Sequence, residues 1–211
     1  MRLTRLRKEY TAGALLESRA PADPLILFAK WFARAVALGG PDRNAMTLAT
    51  ADRRGRPDAR TVLLKSYDEH GFVFATNYQS RKARELDANP WATLLFYFPA
   101  LEQQIRIEGK VARVSAAESD AIFGERPRGS RIGALASPQS RVIASRAVLE
   151  ARVVALEKRF AHREVLRPEH WGGYRVQPLT IEFWQGRASR LHDRLRYTKR
   201  ARGWKRERLA P

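Results

Sequence analysis

Through the middle of the chain, short runs of alternating apolar and polar residues are separated by turn residues. This period of two predicts β-strands, and the closely spaced turns predict antiparallel neighbours. The predicted strands cover residues 45–50, 59–66, 72–76, 92–98, 104–114, 174–176, 180–184 and 190–197. Turns are expected at residues 52–55 and 68–71, where Asp precedes Gly. The centre of the fold is therefore expected to be an antiparallel sheet or barrel.

Helical periodicity flanks these strands. Residues 1–20 are predicted to hold an amphipathic helix ending near Gly13, and Asp23 is expected to cap a longer helix. Ser80 is expected to cap a short helix. Two more helices are predicted over residues 116–123 and 145–160, and a long loop is predicted over residues 126–140, which are rich in Gly, Pro, Ser and Arg.

The helices surround the strands without βαβ alternation, which favours an α+β fold. We expect one domain over residues 21–211, preceded by a helical segment over residues 1–20. A length of 211 residues with 44% hydrophobic content is sufficient for one substantial core.

Composition excludes several classes of site. The absence of cysteine rules out disulfides and thiolate metal sites. A metal site is not expected, because the histidines are scattered: His70, His162, His170 and His192. No Walker loop, dinucleotide GxGxxG, HExxH or GxSxG motif is present. Without a signal-like or membrane-spanning apolar run, a cytoplasmic protein is expected.

The charge favours anionic partners. The chain carries a formal net charge of +18, and residues 187–208 hold ten Lys/Arg against only Asp193 and Glu207. Such a segment in isolation favours RNA binding, but sign alone does not separate nucleic acid from phosphorylated small molecules. Five apolar side chains interrupt the segment and favour a folded one: Leu191, Leu195, Tyr197, Trp204 and Leu209.

Two clusters of basic residues are candidate phosphate sites. Arg60 and Lys65 bracket a predicted strand, yet residues five apart on a flat strand face opposite sides, so only a bulge or twist directs both at one ligand. Arg81 and Lys82 follow Ser80 at a helix start, where free N–H groups favour an anion. The alternative for both clusters is a set of solvated charges.

Two further clusters lie toward the C-terminus. Residues 126–131 concentrate three guanidinium groups and a hydroxyl, a composition suited to phosphate or RNA. Strand alternation predicts that Arg190, His192 and Arg194 form a row on one face, directed either at a common ligand or at solvent. Trp184 is expected either to stack on a flat ligand or to lie in the core.

Taken together, these segments resemble the pyridoxine/pyridoxamine 5'-phosphate oxidase family over essentially the whole chain. The resemblance is carried by LRKEYTAG, PADPLILFAKW, RTVLLK, FATN, QSRKARELDANP, LEQQIRIEGK, RPRGSRIGALASPQS, WGGYRV, IEFWQGRASRLHDR and the terminal RLAP. The resemblance implies an antiparallel FMN-binding split β-barrel with flanking helices. It also implies a homodimer with FMN at the subunit interface.

The resemblance further implies a set of site residues. The implied FMN contacts are Arg60, Thr61, Val62, Leu63, Leu64, Lys65, Ala75, Thr76, Arg81, Lys82, Gln104, Gln139, Ser140, Trp184 and Arg194. The implied substrate contacts are Lys65, Arg126, Ser130, Arg190, Leu191 and His192, with Arg7 and Tyr10 closing over the site as a lid. Arg190 and His192 are the implied catalytic residues.

The implied reaction is the FMN-dependent oxidation of pyridoxamine or pyridoxine 5'-phosphate by O2, which gives pyridoxal 5'-phosphate and H2O2. Ile122 stands where relatives usually have a tyrosine that donates to the substrate phosphate; the loss of one neutral hydrogen bond is worth ~1 kcal/mol. Substitution of Ile122 by Tyr is therefore expected to lower KM. Leu16, Glu17 and Ser18 stand where several relatives are basic, which disfavours a regulatory product site there. The alternatives are another split-barrel FMN oxidoreductase, a basic RNA-binding protein and a pyridoxal phosphate carrier.

Overall fold

The computed structural model describes residues 9–211. The described helices are α1 (Pro24–Ala37), α2 (Arg81–Ala88), α3 (Ala116–Gly124), α4 (Arg128–Ala136) and α5 (Arg146–Arg159). The strands are β1 (Ala45–Ala51), β2 (Pro57–Asp68), β3 (Gly71–Asn77), β4 (Trp91–Phe98), β5 (Gln103–Arg113), β6 (Trp171–Gln185), β7 (Asp193–Lys199) and β8 (Trp204–Leu209). Among residues 9–211, no helix is long and apolar enough to cross a membrane.

All neighbouring strands pair antiparallel in the order β3-β2-β1-β4-β5-β6-β7-β8, and β3 also pairs with β6. That pairing closes the first six strands into a barrel, while β7 and β8 continue the sheet outside it. The predicted antiparallel α+β fold is thereby confirmed. Asp23 and Ser80 cap α1 and α2 as predicted, since their side chains accept from the N–H groups of Leu25 and Ala83.

Strand β6 corrects one prediction, because it is one strand of 15 residues rather than two short ones. Its first half pairs with β3 as far as Val176, and its second half pairs with β7 from Thr180 onward. Pro178 stands where the partner changes, so its missing N–H removes no hydrogen bond to β3 or β7. On the other edge β5 pairs with β6 from Tyr174 to Gln185, with a bulge between Glu108 and Gly109.

The predicted loop over residues 126–140 is also wrong, since its centre forms α4. Ile132 and Ala136, one turn apart, are both buried and face the protein. Arg128 donates to the carbonyl oxygens of Phe160 and Arg163, which fixes the helix against the end of α5. Tertiary packing thus outweighs the low helix propensity of Gly129 and Gly133.

Residues 9–16 are not helical, so the predicted first helix is wrong over the described part of its range; only Glu17–Arg19 form a 3-10 turn. The division into residues 1–20 and 21–211 stays a prediction.

Two apolar clusters hold the elements together. Inside the barrel, Phe28 of α1 packs against Tyr67, Phe72 and Phe96, with ring centroids 4.8–5.4 Å apart. Outside the barrel, Val73 and Trp171 pack against the buried residues of α3 and α4. The outer cluster anchors α4 beside β3 and β6, and this packing positions the cavity described below.

Gly109 is expected to be intolerant of a side chain. A Cβ at this position would lie 2.0 Å from the backbone oxygen of Gln177 in the adjacent strand. We therefore expect Gly109→Ala to lower the free energy of unfolding by about 2–3 kcal/mol, measured by urea denaturation.

Gly124→Ala is the matched control, because nothing lies within 4 Å of the added methyl group. It is expected to leave stability unchanged or slightly raised. Equal stability of the two variants would contradict the close approach of β5 to β6.

Candidate active site

A cavity of about 410 Å³ opens among β2, β3, α2 and α4. Many residues that the sequence indicated as phosphate or flavin contacts line it: Thr61, Val62, Leu63, Lys65, Ala75, Thr76, Lys82, Arg126, Ser130 and Gln139. The wall is completed by residues that the sequence analysis did not assign: Asn77, Gly133, Ala134, Ser137 and Trp171. Gly133 and Ala134 belong to α4, and their helical spacing brings them to the wall. The prediction of a loop over residues 126–140 gave no indication of this spacing.

Strand β2 presents Lys65 to the cavity through an irregularity in its pairing. The register with β3 shifts between Leu64 and Ser66. The strand therefore contains a bulge of the kind needed to direct Arg60 and Lys65 at the same ligand. Lys65 lines the cavity, whereas Leu64 is buried in the barrel core and Arg60 does not line the wall. The bulge therefore does not bring Arg60 and Lys65 to one point within this chain.

Carboxylates hold Arg60 and Arg81 beside the start of α2. Arg60 contacts Asp58 at 2.5 Å and Glu85 at 3.1 Å, and the Nε atom of Arg81 lies 2.8 Å from Glu85. Burial by itself raises the pKa of Glu85, but hydrogen bonds from Thr50, Arg81 and Arg60 hold it below the usual value. Both arginines are thus fixed in orientation with their charges largely compensated.

Lys82, the next residue of α2, is directed into the cavity instead. Its Nζ atom donates to Thr76 Oγ1 at 3.3 Å and Gln139 Oε1 at 3.2 Å. Thr76 Oγ1 in turn donates to the same Gln139 oxygen at 2.9 Å. Burial, together with the nearby charge of Arg60, lowers the pKa of Lys82. Ser140, the residue after Gln139, has a positive φ of 69° and does not line the cavity.

Arg126 supplies the cationic wall opposite this group. Its guanidinium lies 4.9 Å from the ring centroid of Trp171 and donates to the backbone oxygen of Ser130 at 2.8 Å. Burial lowers its pKa. Its buried Nε atom has no hydrogen-bond partner among the described residues. Arg126 lines the cavity, and a cation that has an unpaired buried N–H fits a phosphate oxygen.

The other indicated residues form a second group, here called the distal group: Tyr10, Gln104, Trp184, Arg190, Leu191, His192 and Arg194. Gln104 of β5, Trp184 of β6 and Arg194 of β7 are direct cross-strand neighbours, so they share one face of the sheet. The ring of Trp184 lies 4.6 Å from that of His192, and the ring of Tyr10 lies 5.6 Å from His192.

The predicted strand row of Arg190, His192 and Arg194 is wrong, because β7 begins only at Asp193. Arg190 ends a 3-10 turn in which Ser189 and Arg190 have φ values of 54° and 64°. Such left-handed residues carry backbone strain, on the order of 1–3 kcal/mol each. The turn nevertheless brings Arg190 to His192 and places its guanidinium 5.8 Å from the Tyr10 ring centroid.

Arg194 is held differently. Its Nε atom donates at 2.7 Å to Glu182, a buried carboxylate that Arg106 also contacts at 2.9 Å. The hydrogen bond to Glu182 raises the pKa of Arg194. The charge of this guanidinium is therefore shared with the sheet before any ligand binds.

The cavity and the distal group lie near opposite ends of β6. Trp171, the first residue of β6, lines the cavity, and Trp184 is the residue before the last. At about 3.3 Å per residue, roughly 40 Å of strand contour joins the two. No residue of the distal group lines the cavity, so one chain does not bring both groups to a single small ligand.

Besides Arg60, Leu64, Arg81 and Ser140, two further indicated positions lie outside both groups. Arg7 lies outside the described residues. Ile122 is buried in the outer apolar cluster, and its Cδ1 atom lies 3.5 Å from the point where a Cβ on Gly173 would stand. It does not line the cavity.

Comparison with known proteins identifies the family. Residues 34–160 match the family model described as pyridoxamine 5'-phosphate oxidase. The chain belongs to the pyridoxamine 5'-phosphate oxidase family. Residues 171–211 match a second model, described as the pyridoxine 5'-phosphate oxidase C-terminal dimerisation region. The chain is thus an oxidoreductase of this family, and the resemblance read from its motifs is confirmed.

Individual relatives agree over the full length. A pyridoxine/pyridoxamine 5'-phosphate oxidase of Pseudomonas putida (strain GB-1) is 57% identical, with 99% of this chain and 98% of the relative covered. One of Rubrobacter xylanophilus is 56% identical, with 99% and 96% covered.

Two solved structures share the fold and confirm the split barrel. PhzG from Burkholderia lata 383, in complex with tetrahydrophenazine-1-carboxylic acid, has a TM-score of 0.87 at 33% identity, covering 94% of this chain and 98% of that one. An FMN-binding protein of Nostoc punctiforme, related to pyridoxamine 5'-phosphate oxidase, has a TM-score of 0.70 at 19% identity, covering 94% of this chain and 100% of that one; it supports the fold alone.

The protonation state of His192 is a first testable consequence of this geometry. The N–H of Arg187 donates to His192 Nδ1 at 3.1 Å, so the neutral ring carries its proton on Nε2. Burial, and then the charge of Arg190, lowers the pKa of His192. In 15N NMR of histidine-labelled protein, we expect the Nε2–H form at pH 7, titrating below the usual histidine range.

Because the unfolded chain binds this proton more readily, the contribution of His192 to stability is lost as pH falls below that range. Arg190→Met removes the neighbouring charge and is expected to raise the pKa, while His192→Gln assigns the signal. A signal typical of the Nδ1–H form would contradict the assignment.

Proposed function

We propose that the chain oxidises pyridoxamine 5'-phosphate and pyridoxine 5'-phosphate to pyridoxal 5'-phosphate, with FMN as cofactor and O2 as acceptor. The alcohol and O2 give the aldehyde and H2O2, and the amine also consumes water and releases NH3. One observation carries the proposal: most of the residues expected to hold FMN and a B6 phosphate form two groups, in a chain 57% identical to a relative of that name. A cytoplasmic location stays a prediction.

The cavity fits phosphate esters. Lys65, Lys82 and Arg126 supply positive charge on its wall, and Thr76 and Ser130 supply hydroxyl groups. The buried Nε atom of Arg126 still has a hydrogen bond to donate, and a phosphate oxygen satisfies it. Bound FMN would supply the redox chemistry by accepting a hydride equivalent from the substrate.

The chain's own contribution is binding, orientation and control of charge. Neutral His192 offers an Nε2–H donor, and Arg190 beside it offers a cation for the substrate. Arg194, held by Glu182, presents a fixed guanidinium in the same row as Trp184. No nucleophile is needed for this chemistry.

We further propose that the complete site forms between two copies of the chain. The cavity of one copy and the distal group of the other would meet, because no residue of the distal group lines the cavity of its own copy. The match of residues 171–211 to a dimerisation-region model supports a homodimer, and β7, β8 and much of the distal group belong to that region.

The alternatives are less well supported. In the basic C-terminal segment, Arg194, Arg196 and Arg208 are already bound to carboxylates, which weakens the case for RNA binding. The likeness to PhzG keeps a different, carboxylate-bearing substrate as a second candidate for the same cavity. The expectation for Ile122 also stays a prediction, and an unchanged KM in Ile122→Tyr would mean that this position does not contact the substrate.

The decisive experiment is an absorbance spectrum of the purified protein with FMN, recorded before and after adding pyridoxamine 5'-phosphate. Without O2 the flavin band is expected to bleach, and under air pyridoxal 5'-phosphate and H2O2 should accumulate. A yellow protein inert to both B6 phosphates would point to another substrate. A protein that takes up no FMN would overturn the proposal.

Shared construction of the site predicts complementation between inactive variants. Arg126→Met damages the cavity and Arg190→Met damages the distal group, so each homodimer is expected to lose most activity. A heterodimer of the two, purified with two different tags, retains one intact site of two, and about half of the wild-type turnover is expected.

A heterodimer of Arg126→Met with Ser130→Ala is the matched control, since both changes lie on the cavity side. It should gain nothing over its parents. If each site were formed within one chain, the Arg126→Met and Arg190→Met heterodimer would be equally inactive.

A further inference from the structure

Residues 9–20, here called the N-terminal strap, cross the ends of β6, β7 and β8. The N–H of Ala12 donates to Glu102 Oε2 at 2.8 Å, and the N–H of Leu15 donates to Asp193 Oδ2 at 3.0 Å. The side chain of Leu15 is buried in the barrel cluster. These contacts hold the strap against the sheet although it has little secondary structure of its own.

Arg208 of β8 makes the densest set of contacts with the strap. Its Nε and one terminal nitrogen donate to the two oxygens of Glu17, at 2.5 and 2.7 Å. The same terminal nitrogen donates to the Leu15 oxygen at 3.0 Å, and the other donates to Asp193 at 2.7 Å. Only the planar fork of arginine serves all of these acceptors together.

Near its first residue, the strap contacts the distal group through Tyr10. A Cβ on Gly186 would lie 2.8 Å from Tyr10 Cγ, so the absence of a side chain at Gly186 lets the tyrosine pack on the backbone. The Tyr10 ring then meets Trp184 edge-on at 5.7 Å and lies beside His192 and Arg190. The position of Tyr10 therefore depends on how firmly the strap is held.

We propose that Glu17 and Arg208 form a latch that keeps the N-terminal strap closed and so positions Tyr10 beside Arg190 and His192. The effect on turnover rests on the proposed function, whereas the latch itself does not. In this view Glu17 and Arg208 are positioning residues, since they act on the substrate only through Tyr10.

The latch is ionic over the whole working range of pH. The hydrogen bond from Arg208 lowers the pKa of Glu17 to about 2, and the one to Glu17 raises the pKa of Arg208. Both side chains are partly exposed, at 46% and 37%. Salt is therefore expected to weaken the latch, whereas moderate changes of pH are not.

The test is amide hydrogen exchange of the strap in full-length protein, measured at Ala12 and Leu15. Glu17→Gln keeps the shape of the side chain and removes its charge. For an exposed ion pair, we expect exchange to accelerate about 2- to 5-fold. Arg208→Lys keeps the charge but loses the fork, so it is expected to accelerate exchange as well, and Glu17→Asp should restore part of the protection.

Kinetics test the positioning role. Strap opening reduces the fraction of protein with Tyr10 in place, so KM for pyridoxamine 5'-phosphate should rise in inverse proportion to that closed fraction while kcat changes less than about twofold. A latch that only stabilised the fold would leave KM unchanged.

Glu207→Gln is the matched control, because Glu207 is next to Arg208 on β8 and its ion pairs are with Lys205 of β8 and Arg196 of β7, not with the strap. It should leave exchange at Ala12 and Leu15 at the wild-type rate. Wild-type exchange in both Glu17→Gln and Arg208→Lys would overturn the latch. A KM that does not rise as the closed fraction falls, including in 1 M salt where the latch is weakest, would overturn the positioning of Tyr10. A wild-type protein inert to both B6 phosphates would overturn the proposed function alone.

Discussion

The edge of β6 that faces away from β5 is divided between two partners, and the rest of the architecture depends on that division. The first half of the edge pairs with β3 and closes the barrel, and the second half pairs with β7 and extends the sheet beyond it. A residue that cannot donate, Pro178, occupies the point of change, and Gly109 on β5 allows the backbone of Gln177 to approach. One strand thereby serves as barrel wall at one end and as platform for the distal group at the other.

The high positive charge is organised by a small number of carboxylates. Glu85, Glu182 and Asp193 each bind two arginine side chains. Those arginines have fixed orientation and compensated charge. Lys65, Lys82 and Arg126 line the cavity instead. The cationic character of the cavity therefore comes from these three side chains more than from the total charge.

Local patterns predicted the strands of the barrel and the two capped helices. Alternation of apolar and polar residues determines a strand over a few residues, and a capping side chain such as that of Asp23 or Ser80 determines where a helix begins. They failed where distant contacts decide the structure. Helix α4 contains two glycines and forms because Ile132 and Ala136 are buried, and β6 continues through a proline because its partner changes there. The turn before β7 could not be anticipated, since Ser189 and Arg190 adopt backbone angles that their types disfavour.

The same limits apply to the site. The sequence indicated most of the cavity wall through its motifs, but it gave no distance between that wall and Trp184, which only the length and continuity of β6 reveal. That separation has a consequence for the behaviour of the protein in solution. An isolated chain holds two half-sites and no complete site. Under the proposed arrangement, the fraction of active enzyme therefore depends on the protein concentration, because two chains must associate to form each site. Dilution would then remove activity without unfolding a single barrel, and recovery on reconcentration would follow second-order kinetics.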